Sequence, residues 1–482
     1  MTSADRSAPV PPHLLPKALL VGVRLPGVSE QEFEASLDEL ERLVKTLGYR
    51  VASRMTQTRA TLAPTAVLGQ GKLMELAAIT GGSGEGGVQV DRVKDKARIR
   101  REAVEAGKTI PDDDADDDSD SADDEGEAVA NAGELADLEL IAVDHEISPS
   151  QLRNLERATG RSVLDRTGVI IEIFHRHAHS REARMQVEIA RLRYESPRVR
   201  ESPHGKERQA GRGSGEAGLE LDRRKIRDRI AELKEQLEAV QREYSVRRAK
   251  RQEARRVALV GYTNAGKSSL MRALTGSEVY VENKLFATLD TTVRALAPEV
   301  LPRILVSDTV GFIKKLPHDL VASFKSTLDE ASEASLLLHV VDASDPSWEA
   351  QLAVTREVLT EIGAHAVPSR LLMNKIDCLT ADALTELRAA QPDAWFLSAR
   401  NSADVAALRL RIIEFFEASY VRAEVLVPFS EQRLLAEMHA AMNVLGTRYE
   451  EAGVFVQVRC EAAALDKLSA RLPGGSVTLL AE

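Results

Sequence analysis

Apolar residues recur along this chain at two different periods, and the switches between them divide it into segments. Residues 18–23 form a near-continuous apolar run, which predicts a buried strand. Residues 31–47 instead carry Phe33, Leu37, Leu40, Leu43, Val44 and Leu47 at helical spacing and stop at Gly48. Ser29, with Glu32 three positions on, has the form of a capping box at the start of that helix. A second strand is expected over 49–56 and a second helix over 72–79. Beyond a long polar stretch the pattern returns with a buried strand at 138–143. A helix then opens at Ser148, with Pro149 in its first turn, and a short strand follows at 163–165. Strands alternating with helices argue a small parallel sheet.

The middle of the chain is helical. Residues 181–195 carry Met185, Ile189 and Leu192 on one stripe, and 196–218 read as a Gly-, Ser-, Pro- and Arg-rich loop. A long helix is expected over 219–253. Its apolar positions Ile226, Ile230, Leu233, Leu237, Val240 and Tyr244 alternate four and three apart, a heptad seam that needs a partner helix. The helix at 181–195 is the nearest one, giving an antiparallel hairpin with a basic, glycine-rich tip. Pairing between two copies of the chain is the competing arrangement. The last segment reads as strand 425–427, helix 431–449, strand 454–458 and a strand near Val477.

Composition changes this picture in three ways. At 482 residues the chain exceeds one core, and roughly three domains are expected. The two cysteines, Cys378 and Cys460, form no disulfide framework and suit a reducing cytoplasm. No apolar run approaches the roughly 18 residues that cross a bilayer, which leaves only peripheral membrane contact open. The net charge of −11 misleads as an average. Residues 111–127 hold nine Asp, two Glu and no base, so the remainder is near neutral. Residues 175–256 hold 23 Lys and Arg against 14 Asp and Glu. That local excess suits an anionic partner such as RNA, or a salt-bridged helix face.

The predicted boundaries are a tail at 1–17 and an N-terminal α/β domain at 18–180, with a largely disordered acidic insertion at 80–133. A helical hairpin spans 181–254, a nucleotide-binding domain 255–422 and a small α+β domain 423–482.

One stretch carries explicit chemistry. After the apolar strand 257–260 come Gly261, Tyr262, Thr263, Asn264, Ala265, Gly266, Lys267 and Ser268, and a helix follows over 269–274. This is a phosphate loop in its proper strand–loop–helix setting. The glycines let backbone N–H groups close on phosphate oxygens. Lys267 can reach the β- and γ-phosphates, and Ser268 offers a hydroxyl to Mg²⁺. Four further stretches follow in the order of a GTP-binding switch domain. Phe286, Ala287, Thr288, Leu289 and Asp290 lie where the first switch belongs, with Thr288 the second hydroxyl for Mg²⁺ and Thr291 and Thr292 neighbouring alternatives. The strand 303–307 ends in Asp308, Thr309, Val310 and Gly311. Asp308 can hold Mg²⁺ through water, and the Gly311 N–H can sense the γ-phosphate. Asn374, Lys375, Ile376 and Asp377 end another strand. Asp377 can accept both guanine donors, which adenine lacks, while Asn374 braces the loop and the Lys375 stem covers the ring. Ser398, Ala399 and Arg400 supply a backbone N–H toward the guanine oxygen. The residue after Gly311 is Phe312, which cannot orient a water, so unaided hydrolysis is expected to be slow.

Two other clusters carry less. His175, His177 and His179 are spaced by two, whereas helical ligand pairs prefer three or four, which favours a polar surface over a metal site. Gly69, Gly71 and Lys72 lack the four-residue gap of a phosphate loop and are not counted as a second nucleotide site.

These motifs, with 316–327, Ser148 to Gln151, Asn154 to Glu156 and Asp222 to Arg227, resemble the HflX family of bacterial GTPases over nearly the whole chain outside the tail and the acidic insertion. The resemblance implies an α/β architecture in which a P-loop GTPase domain joins the N-terminal α/β domain with its hairpin and the C-terminal α+β domain. It also implies GTP and GDP with Mg²⁺ as cofactors, the large ribosomal subunit as partner, and splitting of stalled ribosomes under stress. A cytoplasmic monomer is expected. Two positions depart from the family pattern. The run at 211–218 lacks the family's Pro and Thr, and Thr291 stands where a Pro usually follows Asp290. The alternative function is a nucleotide-gated module that binds RNA or protein without splitting ribosomes.

Overall fold

The computed structural model describes residues 14–84, 137–199, 214–249, 254–276, 285–286, 292–314, 325–418, 420–472 and 476–480. The acidic insertion beyond Gly84 and the hairpin tip at 200–213 lie outside them. The chain divides into two compact units, 1–173 with 193–219 and 174–192 with 220–482.

In the first unit, β1 (Lys17–Arg24), β2 (Arg50–Thr58), β3 (Leu138–Val143) and β4 (Ser162–Asp165) form a parallel sheet in the order β2-β1-β3-β4. The apolar run in β1 is buried throughout from Ala18 to Val23, as a strand covered on both faces requires. Helix α1 (Glu30–Thr46) opens with the predicted capping box: the Glu32 N–H donates to Ser29 Oγ at 3.2 Å, and the Ser29 N–H donates to Glu32 Oε2 at 3.1 Å. Leu37, Leu40, Leu43 and Val44 are fully buried on its inner face. Helix α2 spans Gln70–Thr80, and α3 (Pro149–Thr159) carries a second capping box through Ser148 and Gln151.

Helix α4 (Arg166–His177) starts from a buried ion network that the periodicity does not reveal. Arg166 is 2% exposed and donates to Asp144 Oδ1 at 2.7 Å and to Glu39, while Ser36 Oγ donates to Asp144 Oδ2 at 2.6 Å. Removing one member of such a pair strands a buried charge, at a cost of about 3–5 kcal/mol. Asp144→Ala should therefore shift the unfolding of this sheet to markedly lower urea, read by amide exchange in β1 and β3. Unchanged protection there would show that the network is dispensable.

In the second unit, α5 (Arg181–Glu195) packs on α6 (Ser214–Ala249). Met185, Ile189 and Leu233 form the core of this contact, with Leu192, Ile230, Leu237 and Val240 against it. From Ile230 to Val240 the heptad seam thus finds its partner within the chain, while the Tyr244 side chain lies outside the described residues. Helix α6 begins at Ser214, earlier than the expected 219, so the Gly-rich run partly joins it.

Six strands make the central sheet: β5 (Arg255–Val260), β6 (Thr292–Ala295), β7 (Ile304–Asp308), β8 (Leu336–Asp342), β9 (Ser369–Asn374) and β10 (Trp395–Phe396). Their order is β10-β9-β8-β5-β7-β6, parallel except for β6 against β7. Helices α7 (Lys267–Thr275), α8 (Lys325–Ser332), α9 (Trp348–Glu361), α10 (Ala381–Ala390) and α11 (Ser402–Glu417) connect the strands. Strand β5 lies between β7 and β8, so the loop after it opens at the centre of the sheet's carboxyl edge, where open α/β sheets place ligands.

The last segment is an antiparallel sheet of β11 (Tyr420–Val427), β12 (Asn443–Glu450), β13 (Gly453–Glu461) and β14 (Val477–Leu480), in the order β12-β13-β11-β14. Helices α12 (Gln432–Ala441) and α13 (Ala462–Ser469) contribute to its core. The expected helix over 431–449 is corrected here: it ends at Ala441, and Asn443 to Glu450 are strand. Pairing with β13, through a register shift before Gly446, overrides their local preference. Arg459 Nη1 reaches Glu417 Oε2 at 2.6 Å, and Arg255 pairs with Glu461, tying this sheet to α11 and to the first residue of β5.

Candidate functional site

The loop after β5 adopts a backbone that few side chains allow. Gly261 has φ +151°, and a Cβ there would lie 2.1 Å from the Val340 carbonyl oxygen. Gly266 has φ +99°, and a Cβ there would meet Asn374 Nδ2 at 2.2 Å. Asn264, at φ +61°, is one of the few residue types that enter this region readily. Helix α7 begins directly at Lys267, so its first N–H groups face the loop and favour an anion.

Lys267 is 6% exposed, and its Nζ donates to the Gly261 and Tyr262 carbonyls at 3.0 and 2.8 Å. Burial pushes its pKa down to about 8, against the opposing charge of Asp308. A bound polyphosphate would raise that pKa again, so binding above about pH 8 takes up a proton. Affinity should be flat below that pH and fall by up to about tenfold per unit above it. GDP titrations from about pH 7 to 9 check this, and Lys267→Arg, charged throughout, should flatten the curve.

Ser268 Oγ donates to Asp308 Oδ2 at 2.7 Å, and Asp308 is fully buried at the end of β7. Two hard oxygens so placed suit an ion that draws its remaining ligands from phosphate and water. Among the described residues no group of three or more His, Cys, Asp or Glu could hold a metal ion. Thr309 Oγ1 donates to the Leu259 carbonyl at 2.8 Å, locking the end of β7 to β5.

The segment after β7 is zipped to the phosphate loop. The Phe312 N–H donates to the Gly261 oxygen at 3.1 Å, and the Thr263 N–H donates to the Phe312 oxygen at 2.8 Å. The Lys314 N–H donates to Tyr262 Oη at 2.6 Å. Gly311 fits because it has no side chain: a Cβ would come within 2.9 Å of Thr263 Cα. Val310 and Phe312 are 4% and 2% exposed. The Phe312 ring is therefore packed inward.

The base end of the site is built on Asn374, 1% exposed. Its Nδ2 donates to the Ala265 carbonyl at 2.8 Å, and its Oδ1 accepts from the Ala399 N–H at 3.0 Å. One carboxamide thus braces the phosphate loop against the Ser398–Arg400 loop. Lys375 has φ +63° and its Nζ pairs with Asp342 Oδ2 at 2.6 Å. Ile376 starts a single 3-10 turn in which Asp377 is exposed, its carboxyl held below the usual range by Ser398 above all. Arg400 Nη1 stands 3.9 Å from Asp377 Oδ2, a neighbour not expected from the motif. The Ser398 and Arg400 N–H groups donate to Asp404 Oδ2 and Ser398 Oγ, so all three N–H groups of that loop are engaged internally. A guanine oxygen bound at this loop would share or displace one of these bonds.

Phe286 is 3% exposed, with its ring against Phe174. The ring is turned away from solvent and leaves only backbone for a ligand. Ala287, Thr288, Leu289 and Asp290, with Thr291, lie outside the described residues; Thr292 begins β6.

Comparison with known proteins agrees with this geometry. Residues 256–375 match the family model for a 50S ribosome-binding GTPase, 177–251 that of the GTP-binding GTPase middle region, and 34–92 with 122–175 that of the GTP-binding GTPase N-terminal region. GTPase HflX of Gluconacetobacter diazotrophicus is 57% identical over 458 residues, covering 95% of this chain and 98% of its own. GTPase HflX of Magnetococcus marinus is 43% identical over 71% of this chain and 81% of its own, and that of Escherichia coli 40% over 70% and 81%. A crystal structure of a GTP-binding protein from Sulfolobus solfataricus in complex with GDP is 23% identical over 83% of this chain and 98% of its own, with a TM-score of 0.39. With a ribosome-binding GTPase domain and relatives aligned almost end to end, the chain belongs to the HflX family of GTPases and is a GTP hydrolase.

Proposed function

We propose that GTP binding and hydrolysis at this site switch the chain's grip on the large ribosomal subunit, and that the GTP-bound form separates the subunits of stalled ribosomes in the cytoplasm. The observation that supports this best is the Asn374 brace, which links a guanine-selective turn to a phosphate loop in a chain with a basic helical middle. In this reading Gly261 to Ser268 cradle the phosphates and Lys267 neutralises the β- and γ-phosphates. Ser268 and Thr288 ligate Mg²⁺, Asp308 holds it through water, and Gly311 senses the γ-phosphate. Asn374 to Asp377 and Ser398 to Arg400 hold the guanine. The ion would supply charge neutralisation at the transferred phosphate. The basic excess of 175–256 supports an rRNA contact, since phosphate neutralisation drives such binding. Among the described residues no helix is long and apolar enough to cross a membrane.

Sucrose-gradient sedimentation with GTP, GDP and a non-hydrolysable GTP analogue tests the reading. Co-migration with the large subunit, and a loss of 70S particles only with GTP or the analogue, is the expected result. Sedimentation indifferent to nucleotide would overturn it. The departure at 211–218 favours a second reading, a nucleotide-gated RNA-binding module that leaves 70S particles whole.

A further inference from the structure

Phe174 stands outside the stretch that matches the GTPase model, near the end of α4, yet it is fully buried against that domain's own Phe286. The two rings meet edge to face, with centroids 4.6 Å apart and planes at 71°. Phe286 has φ +57°, a conformation that a bulky L residue adopts only when its surroundings hold it there. Its neighbour Leu285 is also inward, at 5% exposure. So the residue at which the first switch begins is held by Phe174, in the last turns of α4. That helix ends at His177, and the chain passes through Ala178 and His179 to Ser180, whose Oγ accepts from the Ala183 N–H at 3.0 Å at the start of α5. Helix α5 in turn packs Met185 and Ile189 on Leu233 of α6. Phe174 thus lies only a short stretch of chain from the hairpin stem.

We propose that Phe174 is a positioning residue for GTP hydrolysis. It acts through Phe286, fixing where the first switch begins. An edge-to-face pair suits this task because its attraction depends on ring orientation, so a modest rotation of either element breaks it. The inference rests on the reading of the phosphate loop as the hydrolytic centre.

The test is a double-mutant cycle in the full chain: Phe174→Ala, Phe286→Ala and the pair together. Each is followed by single-turnover hydrolysis at saturating GTP and by GDP affinity. Each single change should slow hydrolysis by about tenfold while GDP affinity stays within about twofold, and the pair should be no slower than Phe286→Ala alone. Phe174→Leu keeps bulk without the ring edge and should fall between; it carries the comparison if Phe174→Ala does not fold. Singles whose effects multiply in the pair would overturn the proposal. So would wild-type hydrolysis in Phe174→Ala, or a loss of GDP affinity in parallel with rate, which would mean packing alone. Lys267→Ala is the control: if it hydrolyses GTP normally, the reading of the site fails, whatever Phe174 does.

Discussion

Lys267→Ala is expected to bind GTP and GDP with full-length fold intact but to lose turnover by about two to three orders of magnitude. The Lys267 ammonium is the single cation buried inside the phosphate loop, already aimed by the Gly261 and Tyr262 carbonyls. In the proposed reading those bonds hold it where negative charge would develop on the transferred phosphate, so its contribution would grow in the transition state. Alanine removes the charge and also the bonds Lys267 gives to two inward carbonyls, of which that of Gly261 keeps the Phe312 N–H. Affinity should drop as well, by about one to two orders of magnitude, because a hydrogen bond to a charged group contributes roughly 1.5–3 kcal/mol. Rapid-quench hydrolysis together with fluorescent-nucleotide titration separates the two effects. Turnover within about threefold of the parent would remove Lys267 from the centre of the reaction.

Asp377→Asn should exchange one base preference for another. The Asp377 carboxylate is exposed at the mouth of the turn and kept ionised by Ser398 and then Arg400. As an acceptor pair it matches the N1–H and exocyclic amine of guanine. An asparagine presents one acceptor and one donor, so the guanine amine meets a donor and GTP affinity should fall by about a hundredfold or more. Xanthine carries a carbonyl where guanine carries that amine. Xanthosine triphosphate should therefore gain affinity in the variant by a similar factor. Competition titrations with both nucleotides read this directly. Equal weakening toward both would mean that Asp377 supports the turn without reading the base.

Much of the fold was legible because its signals were local. The β1 run, the Ser29–Glu32 capping box and the α6 seam each depend on residues within a few turns of one another. The seam's partner was legible too, since Met185, Ile189 and Leu192 offer a matching stripe nearby. What escaped was set at long range. Nothing around Asn443 to Glu450 outweighs a helical reading until β13 is there to pair with it. The Arg166 network joins residues 127 apart at Glu39 and 22 apart at Asp144. At the site, the motifs marked the loop and its order along the chain. They could not show that Ser398, Ala399 and Arg400 already spend their N–H groups internally, or that Phe286 turns toward Phe174. Both facts follow from which side chains happen to lie opposite once the sheet is assembled.

The Asn374 brace has a thermodynamic corollary. A single carboxamide contacts one loop 109 residues away and another 25 residues away, so ordering either loop helps to fix the side chain that the other needs. Fragments of the ligand should then assist one another: pyrophosphate stiffens one side and lowers the entropic cost of seating free guanosine on the other. Calorimetry with the two fragments should show heterotropic cooperativity, equal in both directions by linkage, and Asn374→Ala should abolish it.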